Sequence, residues 1–529
     1  MLLIFAFLTP FLPAQVTITA NVPAYNFQVL PGSTRQINVA TTNGTLNTVN
    51  WSVLSTTGGA SATFTSPAAT AVSAVSGGLP TVQVNIGPTA GNCTISGSQT
   101  AIGNYSVAST ASVTVRAQSV DDPTKTATFL FNVCAKTTTV MLAPAYQQAF
   151  KGQHRAVQSW ISGDTDETGT WSIVSQPGGG DGTLADTTNR DADFVATVSG
   201  RYTLKYTSHS NSAKTATAIV YVSPNPMPVY DATPNMTEPR ECYVDPALTG
   251  GDYEVGAGKA YAKIQSTPAA NTLAPGSIIR VWNTDTTGSN PSTFHEYYQI
   301  HNSGTPAQPM ILCGVADAYG NLPVLDGSNA TGQAGISTGG AAGYGIVNVW
   351  GGGFGGSAPY QYWQSGSGGP SYVSVTGLHL VHATPAYKYT PPAGGAATAY
   401  VDGAACLNLR GGTYVDLGGN DMDTCTNGLF AGENAASAWA NITQLVTVTG
   451  NHIHQSGYLS DASEHQVYFQ TYYGLFQGNR VDDYVSTAQG SNIKWRGVEG
   501  IFRYNFIAAG STSGSGPQRD FDLVENQDG

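Results

Sequence analysis

Charged residues are scarce in this chain, since Asp, Glu, Lys and Arg make up 10% of its 529 residues. Lys and Arg total 21 against 33 Asp and Glu, which gives a formal net charge of −12. So acidic a protein is a poor partner for nucleic acid or an anionic membrane surface, and we expect neither nucleic-acid binding nor membrane insertion. An acidic polysaccharide is still a compatible ligand, because a local basic groove can lie on an acidic protein.

Long apolar runs and sustained helical periodicity are also missing. The apolar run at 1–14 is too short and too broken by proline to span a bilayer, and it predicts a secretory signal peptide. We therefore expect a secreted protein, extracellular or at the cell surface. The 63 Gly and 28 Pro favour short strands and turns, so the predicted class is all-β. The best helix candidate is the segment 256–267.

Cysteine is rare, with six residues in the chain. None shows Cys-x-x-Cys spacing, which argues against structural zinc. Six cysteines fit disulfide bonding in an exported protein, but the sequence alone leaves their pairing open. They lie in three regions of the chain, with Cys93 and Cys134 in the first, Cys242 and Cys313 in the second, and Cys406 and Cys425 in the third.

The N-terminal half contains an internal repeat. The run NWSV at 50–53 recurs as TWSI at 170–173, and each copy is followed by a Gly-rich turn and a later alternating strand. The repeat predicts two β-sandwich modules, at 15–135 and 136–224. They resemble bacterial immunoglobulin-like domains of surface and secreted proteins, which implies a role in spacing or attachment. A Pro-rich linker is expected at 225–240.

A second, shorter repeat follows in the C-terminal half. A turn with Gly or Tyr, then Asn, any residue and an apolar residue occurs at Asn420, Asn451, Asn479 and Asn505. The spacings are 451 − 420 = 31, 479 − 451 = 28 and 505 − 479 = 26 residues. A period in this range, built from short apolar strands, predicts a solenoid. The four asparagines should stack coil upon coil in one column at a bend.

This pattern resembles the right-handed parallel β-helix of the pectate-lyase-like superfamily, over 241–529. The runs at 491–496, 502–505 and 522–525 further resemble a motif, GNxIKxR…IRYNxI…DLVE, of secreted bacterial β-helix proteins. The predicted fold is therefore all-β, with two immunoglobulin-like β-sandwiches followed by a right-handed parallel β-helix. The resemblance to the superfamily implies a carbohydrate-active protein with disulfides and a polysaccharide partner.

Cations concentrate in one stretch near the end of the chain, where Lys494, Arg496 and Arg503 fall close together. Counting back from the ladder asparagines aligns Tyr468 with Lys494 on neighbouring strands. Because strand side chains alternate between two faces, Tyr468, Lys494 and Arg496 should point outward and the ring of Trp495 inward. A flat parallel sheet offers side chains at a spacing that suits a polymer, so this surface is a candidate substrate groove.

A uronate polymer is cleaved by β-elimination when three groups act together. A cation neutralises the carboxylate, a base removes the C5 proton and an acid protonates the leaving oxygen. The superfamily's chondroitinase B-like lyases use a Lys base and an Arg on neighbouring coils, and Lys494 resembles that Lys in its distance from a ladder asparagine. The favoured function is a polysaccharide lyase. Its candidate catalytic residues are Lys494, Arg496, Tyr468 and His465, and its candidate substrate-binding residues are Asn492, Gln466, Gln470, Arg519 and Trp495.

The alternative role for these cations is a surface ion-pair ladder. Asp522 should lie beside Lys494 on the next coil, and Asp520 and Glu525 are close enough to neutralise Lys494 and Arg496. Each exposed pair of this kind contributes at most about 1 kcal/mol. The same three acids are the candidate ligands for Ca²⁺, the one cofactor considered, although no calcium-loop pattern accompanies them.

Two further functions stay open. Asp482 and Asp483, just past a turn, resemble the paired Asp of polygalacturonase-like hydrolases, which need two carboxylates flanking the glycosidic bond. A non-catalytic glycan-binding or adhesive surface protein fits the low charge and tandem modules as well as an enzyme does. His452 and His454 place two imidazoles on one strand face, but two ligands are too few to hold a metal ion.

The sequence stops at Gly529, directly after the strand predicted at 521–524. A β-helix must cover its final coil, because an open end exposes apolar core and unpaired strand edges. We therefore expect a C-terminally incomplete β-helix, or a partner or further segment that covers Phe521, Leu523 and Val524.

Overall fold

A computed structural model gives the fold. The residues that it describes are 17–20, 27–29, 31–32, 34–42, 48–66, 72–73, 81–91, 93–97, 105–134, 138–162, 164, 166–230, 237–333, 341–350, 369–432, 443–457, 463–485, 489–497, 499–508, 517 and 519–523. The predicted signal peptide, Val524 and Glu525 lie outside these residues. The chain divides into two compact units, Met1–Thr137 and Thr138–Gly529.

The first unit contains a β-sandwich whose strands are antiparallel except for the parallel pair β2 and β11. Its strands are β1 (Thr17–Ala20), β2 (Phe27–Val29), β3 (Thr34–Thr42), β4 (Thr48–Thr57), β5 (Ala62–Ser66), β6 (Val72–Ser73), β7 (Thr81–Ile86), β8 (Cys93–Gly97), β9 (Tyr105–Ser109), β10 (Ser112–Ser119) and β11 (Thr126–Val133). One sheet has the order β1-β3-β7-β5, the second has the order β2-β11-β10-β4-β6, and β8 pairs with β9. Alternating residues of these strands form one apolar core, in which Trp51 packs 5.9 Å from the ring of Phe129.

A second sandwich begins the second unit. Its strands are β12 (Thr139–Ala143), β13 (Tyr146–Lys151), β14 (Arg155–Ser162), β15 (Gly169–Ser175), β16 (Thr183–Ala185), β17 (Asp191–Val195), β18 (Gly200–Ser208) and β19 (Thr215–Pro226). They form two sheets, β12-β14-β17-β16 and β13-β19-β18-β15. Trp171, the counterpart of Trp51, lies in the core with its ring centroid 5.0 Å from that of Tyr206. Both repeated tryptophans are therefore core residues.

The rest of the second unit is built from short strands. They are β20 (Gly251–Val255), β21 (Ser277–Trp282), β22 (Thr293–Phe294), β23 (Tyr298–Ile300), β24 (Met310–Val315), β25 (Val324–Asp326), β26 (Ala330–Thr331), β27 (Gly345–Trp350), β28 (Ser371–Thr376), β29 (His379–Val381), β30 (Lys388–Thr390), β31 (Thr398–Ala399), β32 (Ala405–Arg410), β33 (Thr413–Gly418), β34 (Asp421–Asp423), β35 (Asn427–Gly432), β36 (Gln444–Thr449), β37 (His452–His454), β38 (Val467–Phe469), β39 (Leu475–Gln477), β40 (Arg480–Asp482), β41 (Ser491–Trp495), β42 (Ile501–Arg503), β43 (Phe506–Ile507) and β44 (Arg519–Leu523).

These strands form three long parallel sheets, to which successive coils contribute one strand each. Sheet A has the order β20-β21-β24-β28-β33-β36-β39-β42. Sheet B has the order β22-β25-β29-β34-β37-β40-β43, and sheet C has the order β23-β27-β32-β35-β38-β41-β44. A small sheet, β26-β30-β31, lies beside them. The chain is thus all-β, with two immunoglobulin-like sandwiches followed by a parallel β-helix, as the sequence predicts.

The asparagine ladder is confirmed. Asn451 Oδ1 accepts hydrogen bonds from the backbone N–H and Nδ2 of Asn420, at 2.9 and 3.1 Å. Asn479 Oδ1 accepts the same two hydrogen bonds from Asn451, and Asn505 Oδ1 accepts the same two from Asn479. Each amide thereby satisfies a buried backbone donor at the bend between sheets A and B, which is why the repeat requires asparagine there.

The second sandwich packs on the outer face of sheet A. Met141 and Trp160 of the sandwich form an apolar cluster with Leu445 and Tyr473 of the β-helix. The indole Nε1 of Trp160 donates a hydrogen bond to the carbonyl oxygen of Glu499 at 3.0 Å. This packing covers part of the outer face of sheet A with protein.

The helix expected at 256–267 is wrong. Only Ile264–Ser266 forms a short 3₁₀ helix, and two other 3₁₀ turns lie at Ala270–Thr272 and Ala341–Tyr344. Gly256 and Gly258 take φ values of +147° and +74°, which start a turn where helical backbone was predicted.

Two disulfides, Cys242–Cys313 and Cys406–Cys425, lie within the second unit. Of the described residues, none belongs to a helix with the length and apolarity needed to cross a bilayer. The two disulfides are compatible with an extracellular protein.

Candidate functional site: a cation–aromatic face on sheet C

The predicted strand register of sheet C is confirmed. Tyr468 of β38 lies opposite Lys494 of β41, and Lys494 lies opposite Asp522 of β44. The neighbouring residues Phe469 and Trp495 also pair, and their rings stack 4.6 Å apart inside the β-helix core. Alternation therefore directs Tyr468 and Lys494 to the outer face of sheet C.

An aromatic surface extends this face by one coil. Phe430 of β35 pairs with Tyr468, and their rings stack at 4.8 Å with an interplanar angle of 10°. The ring of Tyr468 is also approached by two cations, with Lys494 Nζ and Arg496 Cζ each 5.8 Å from its centroid. Stacked rings flanked by cations match the flat apolar surfaces and the charge of an acidic sugar.

Arg410, which the sequence reasoning missed, joins the same surface from β32. Its Cζ lies 4.3 Å from the ring centroid of Phe430, 4.9 Å from Tyr344 and 5.4 Å from Trp350. Its Nε donates to Asn408 Oδ1 at 3.0 Å. Burial lowers the pKa of Arg410, which still leaves a guanidinium charged at neutral pH. We call Arg410, Phe430, Tyr468, Lys494 and Arg496 the cation–aromatic face.

Lys494 forms no ion pair among the described residues, although it is half-buried. The carboxylate opposite it, Asp522, is held instead by Arg519, whose Nη1 lies 2.6 Å from Asp522 Oδ1. Burial and then the charge of Arg496 lower the pKa of Lys494. Of the alternative ion-pair ladder, the pair between Lys494 and Asp522 is therefore not formed, and the ammonium group is easier to deprotonate than an ordinary lysine.

His465 lies behind the face and is buried, with 1% of its surface exposed. Its Nδ1 accepts the backbone N–H of Ser491 at 2.9 Å, so a neutral ring carries its proton on Nε2. Among the described residues Nε2 finds no hydrogen-bond partner. Burial, and next the charge of Lys494, lower the pKa of His465 to about 3. The imidazole is therefore neutral at physiological pH.

Three predicted substrate-binding residues are corrected by their burial. Gln466 and Asn492 are fully buried, and they form an internal ladder in which Gln466 Nε2 donates to Asn492 Oδ1 at 2.9 Å. Trp495 is 5% exposed and belongs to the core. Each of these side chains is used in holding coils together, so none can contact a ligand on the outer face.

The other two predicted binding residues lie on or near the face. Gln470 is largely buried, and its Oε1 accepts the hydroxyl of Tyr468 at 3.2 Å, which makes it a positioning residue. Arg519 is exposed on the last coil and paired with Asp522. Arg503, the third clustered cation, points elsewhere, since its Nη1 pairs with Asp191 of the second sandwich at 2.6 Å.

The predicted Ca²⁺ ligands do not gather into a site among the described residues. Asp520 accepts a hydrogen bond from Asn492 Nδ2 at 3.0 Å, while Asp522 pairs with Arg519. Glu525 lies outside the described residues. Within the described part of the chain, three metal-ligating side chains come together at one place only, where Asp421, His452 and His454 lie on sheet B with ligand atoms within 4.8 Å of one another.

The paired carboxylates that suggested hydrolysis engage different partners. Asp482 is buried, and its oxygens pair with His452 Nε2 at 2.9 Å and Arg480 Nε at 2.5 Å. Asp483 follows with φ at +50° and accepts Gln455 Nε2 at 3.0 Å. The two carboxyl groups are thus both used in contacts within the protein.

No protein-family model and no curated protein matches the chain. Solved structures that resemble it have immunoglobulin- and fibronectin-type domains. The fibronectin(III)-like modules of CbhA from Clostridium thermocellum are 10% identical, with a TM-score of 0.15 over 39% of this chain and 94% of that one. Domains 4 and 5 of the S-layer protein SbsC are 11% identical, with a TM-score of 0.20 over 40% and 98%. TM-scores this low carry no argument, so the fold class rests on the sheets described above.

Proposed function

We propose that this chain is a secreted polysaccharide lyase that binds a uronate-containing polymer along the cation–aromatic face and cleaves it by β-elimination. The observation that carries the proposal is Lys494, a half-buried cation with a lowered pKa and no ion pair among the described residues, beside Tyr468 and Arg496. A lysine with a lowered pKa beside an aromatic ring and an arginine is a candidate general base.

Binding would use both the aromatic rings and the cations of this face. The stacked rings of Phe430 and Tyr468 offer an apolar platform for the C–H face of a sugar. Arg410 and Arg496 lie at the two ends of this platform and suit planar carboxylates. Three inter-strand steps separate β32 from β41, so the face is about 14 Å long, enough for a few sugar units.

The reaction divides among the outward side chains. Arg496 neutralises the uronate carboxylate and so makes the C5 proton acidic. Neutral Lys494 takes that proton, the C5 electron pair forms the C4=C5 double bond, and the C4–O bond breaks. The hydroxyl of Tyr468 gives its proton to the departing oxygen. The products are an unsaturated uronate and a new chain end, and Ca²⁺ is the alternative neutraliser of the carboxylate.

A pectate-lyase-like affiliation is part of this proposal. The parallel sheets and the asparagine ladder support it, while the absence of any family match leaves the substrate to experiment. Export through the predicted signal peptide would bring the protein to an extracellular polymer, and the two disulfides fit that compartment.

A non-catalytic glycan-binding protein is the second candidate, and Arg410 favours it. A guanidinium enclosed by three aromatic rings is a binding element with no acid or base role. Such a protein would bind through the same face and leave the polymer intact, which separates the two functions by experiment.

The test is a substrate screen with the purified full chain. Alginate, pectate and glycosaminoglycans are incubated separately, and the unsaturated product is followed by its ultraviolet absorbance. A lyase gives rising absorbance and shorter chains with one or more polymers. Retention of a polymer on the protein without any such product favours the glycan-binding protein, and failure to bind any acidic polymer overturns both candidates.

A further inference from the structure

A second cluster of polar side chains lies on the outer face of sheet B, away from the cation–aromatic face. Asp421 pairs with His452 in the strand register, and His454 lies two residues further along β37. We propose that these three residues form a binding site for a divalent transition-metal ion. The proposal does not rest on the lyase function, because it uses another sheet and other residues.

The distances between the three groups fit one shared ion. Asp421 Oδ1 lies 2.9 Å from His454 Nε2 and 3.3 Å from His452 Nδ1. Two ligands of one metal ion lie about 3 Å apart when the metal–ligand bonds are about 2.0–2.2 Å long. The two imidazoles are also parallel, with centroids 4.0 Å apart and an interplanar angle of 12°, so both direct a nitrogen toward the same carboxylate.

The two ring nitrogens of His452 have different surroundings. Its Nε2 lies 2.9 Å from Asp482 Oδ1, and a hydrogen bond there places the imidazole proton on Nε2. In the neutral ring, Nδ1 then carries a lone pair and lies 3.3 Å from Asp421 Oδ1, and this buried atom has no hydrogen-bond partner among the described residues. A metal ion bound between Nδ1 and the carboxylate would give this buried nitrogen a partner.

The surroundings of His452 match a metal-ligating histidine. Such a ligand usually donates its other N–H to a carboxylate, which fixes the ring and raises its basicity. Here Asp482 is that carboxylate, and Arg480 Nε holds it in turn at 2.5 Å. Asp423 and His379, paired at 2.7 Å, lie beside the site, with Asp423 Oδ2 3.9 Å from His454 Nε2.

The donor set indicates the class of metal. Two imidazoles and one carboxylate suit Zn²⁺ and its neighbours, whereas Ca²⁺ and Mg²⁺ prefer oxygen ligands alone. Asp421 and His452 lie on adjacent coils, so the bound ion would also link β34 to β37. Three protein ligands leave a coordination position for water or another ligand.

The experiment uses the full chain after treatment with a chelator and desalting. Zn²⁺ alone is titrated by calorimetry, and Co²⁺ is added separately to record its visible absorption. We expect one Zn²⁺ per chain, a rise in melting temperature with Zn²⁺, and Co²⁺ bands typical of nitrogen and oxygen ligands. Absence of both Zn²⁺ heat and Co²⁺ bands in the wild-type chain overturns the proposal without reference to any variant, and leaves a proton as the cation between His452 and Asp421.

Variants then locate the ion. His454→Gln should abolish stoichiometric binding, and Asp482→Asn should weaken it about 10- to 100-fold by releasing the His452 ring. The matched control is His154→Gln, which removes an exposed His–Asp pair on the second sandwich and should leave the Zn²⁺ affinity unchanged. Wild-type Zn²⁺ affinity in His454→Gln would contradict the site, as would equal losses in His154→Gln.

Discussion

Arg519 holds Asp522 at 2.6 Å, although the residue opposite Asp522 in the strand register is Lys494. Arg519, three residues before Asp522 on β44, thus pairs with the acid that lies opposite Lys494. This leaves Lys494 beside the Tyr468 ring, where its ammonium form can pair with a ligand carboxylate and its neutral form can take a proton from an acidic C–H. The predictions for the face follow from this relationship.

The first prediction concerns Lys494 itself. Lys494→Ala should lower lyase turnover by about two orders of magnitude or more, the usual contribution of a general base. The melting temperature should change little, because no ion pair among the described residues is lost. Lys388→Ala, which removes an exposed lysine of β30, is the control and should change neither turnover nor the melting temperature. A large loss of stability with unchanged glycan handling would show that Lys494 is structural.

Arg410 is predicted to matter for binding more than for the chemical step. Arg410→Lys keeps the charge but loses the planar guanidinium that lies 4.3 Å from Phe430, so affinity for an acidic oligosaccharide should fall by about 1–2 kcal/mol, roughly 10-fold. Calorimetry with the acidic oligosaccharide that binds most tightly measures this affinity. Turnover at saturating substrate should stay within about a factor of three of the wild type. An unchanged affinity would place the ligand away from β32.

The buried His465 should make stability depend on pH. Its pKa is lowered to about 3 in the folded chain from 6.5, so the unfolded chain binds more protons between these values. Stability is therefore full above about pH 6.5 and falls as the pH drops through this window. Between pH 7.5 and pH 5 the wild type should lose about 2 kcal/mol more free energy of unfolding than His465→Gln. Urea titrations at the two pH values test this, and parallel losses in both proteins would contradict it.

The asparagine ladder predicts a gradient of stability. Asn451→Ala leaves the buried N–H of Asn420 and the carbonyl of Leu417 without partners, and should cost about 2–4 kcal/mol. Asn505→Ala, at a half-buried position, should cost about half as much. Urea denaturation of both variants measures the difference, and equal costs would mean that the ladder acts through something other than burial of its amides.

The sequence predicts well the features that repeat. An asparagine that returns every coil marks a bend, and from that bend the register of Tyr468, Lys494 and Asp522 can be counted, as the strand pairing confirms. The sequence predicted a binding role for Gln466, Asn492 and Trp495, but all three side chains are buried. Their burial depends on contacts with neighbouring coils, which periodicity does not describe.

Contacts between coils explain the residues that were missed. Arg410 lies two residues beyond Asn408, which is the residue of β32 that pairs with Phe430, so its side chain reaches the Phe430 ring from a neighbouring strand position. Asp421 and His452 each follow a ladder asparagine directly, so aligning the turns predicts that they lie side by side. The pairing of Arg519 with Asp522, by contrast, depends on side-chain rotamers, which no strand pattern specifies.

Cleavage by elimination on the cation–aromatic face can be tested in one assay. The most direct measurement is the ultraviolet absorbance of unsaturated product released by wild-type and Lys494→Ala chains, from the acidic polymer that binds best. We expect a steady rise with the wild type and a rise at least about 100-fold slower with Lys494→Ala, even at polymer concentrations that saturate both. Product formation by Lys494→Ala at the wild-type rate, or tight binding by the wild type with no unsaturated product, would contradict it.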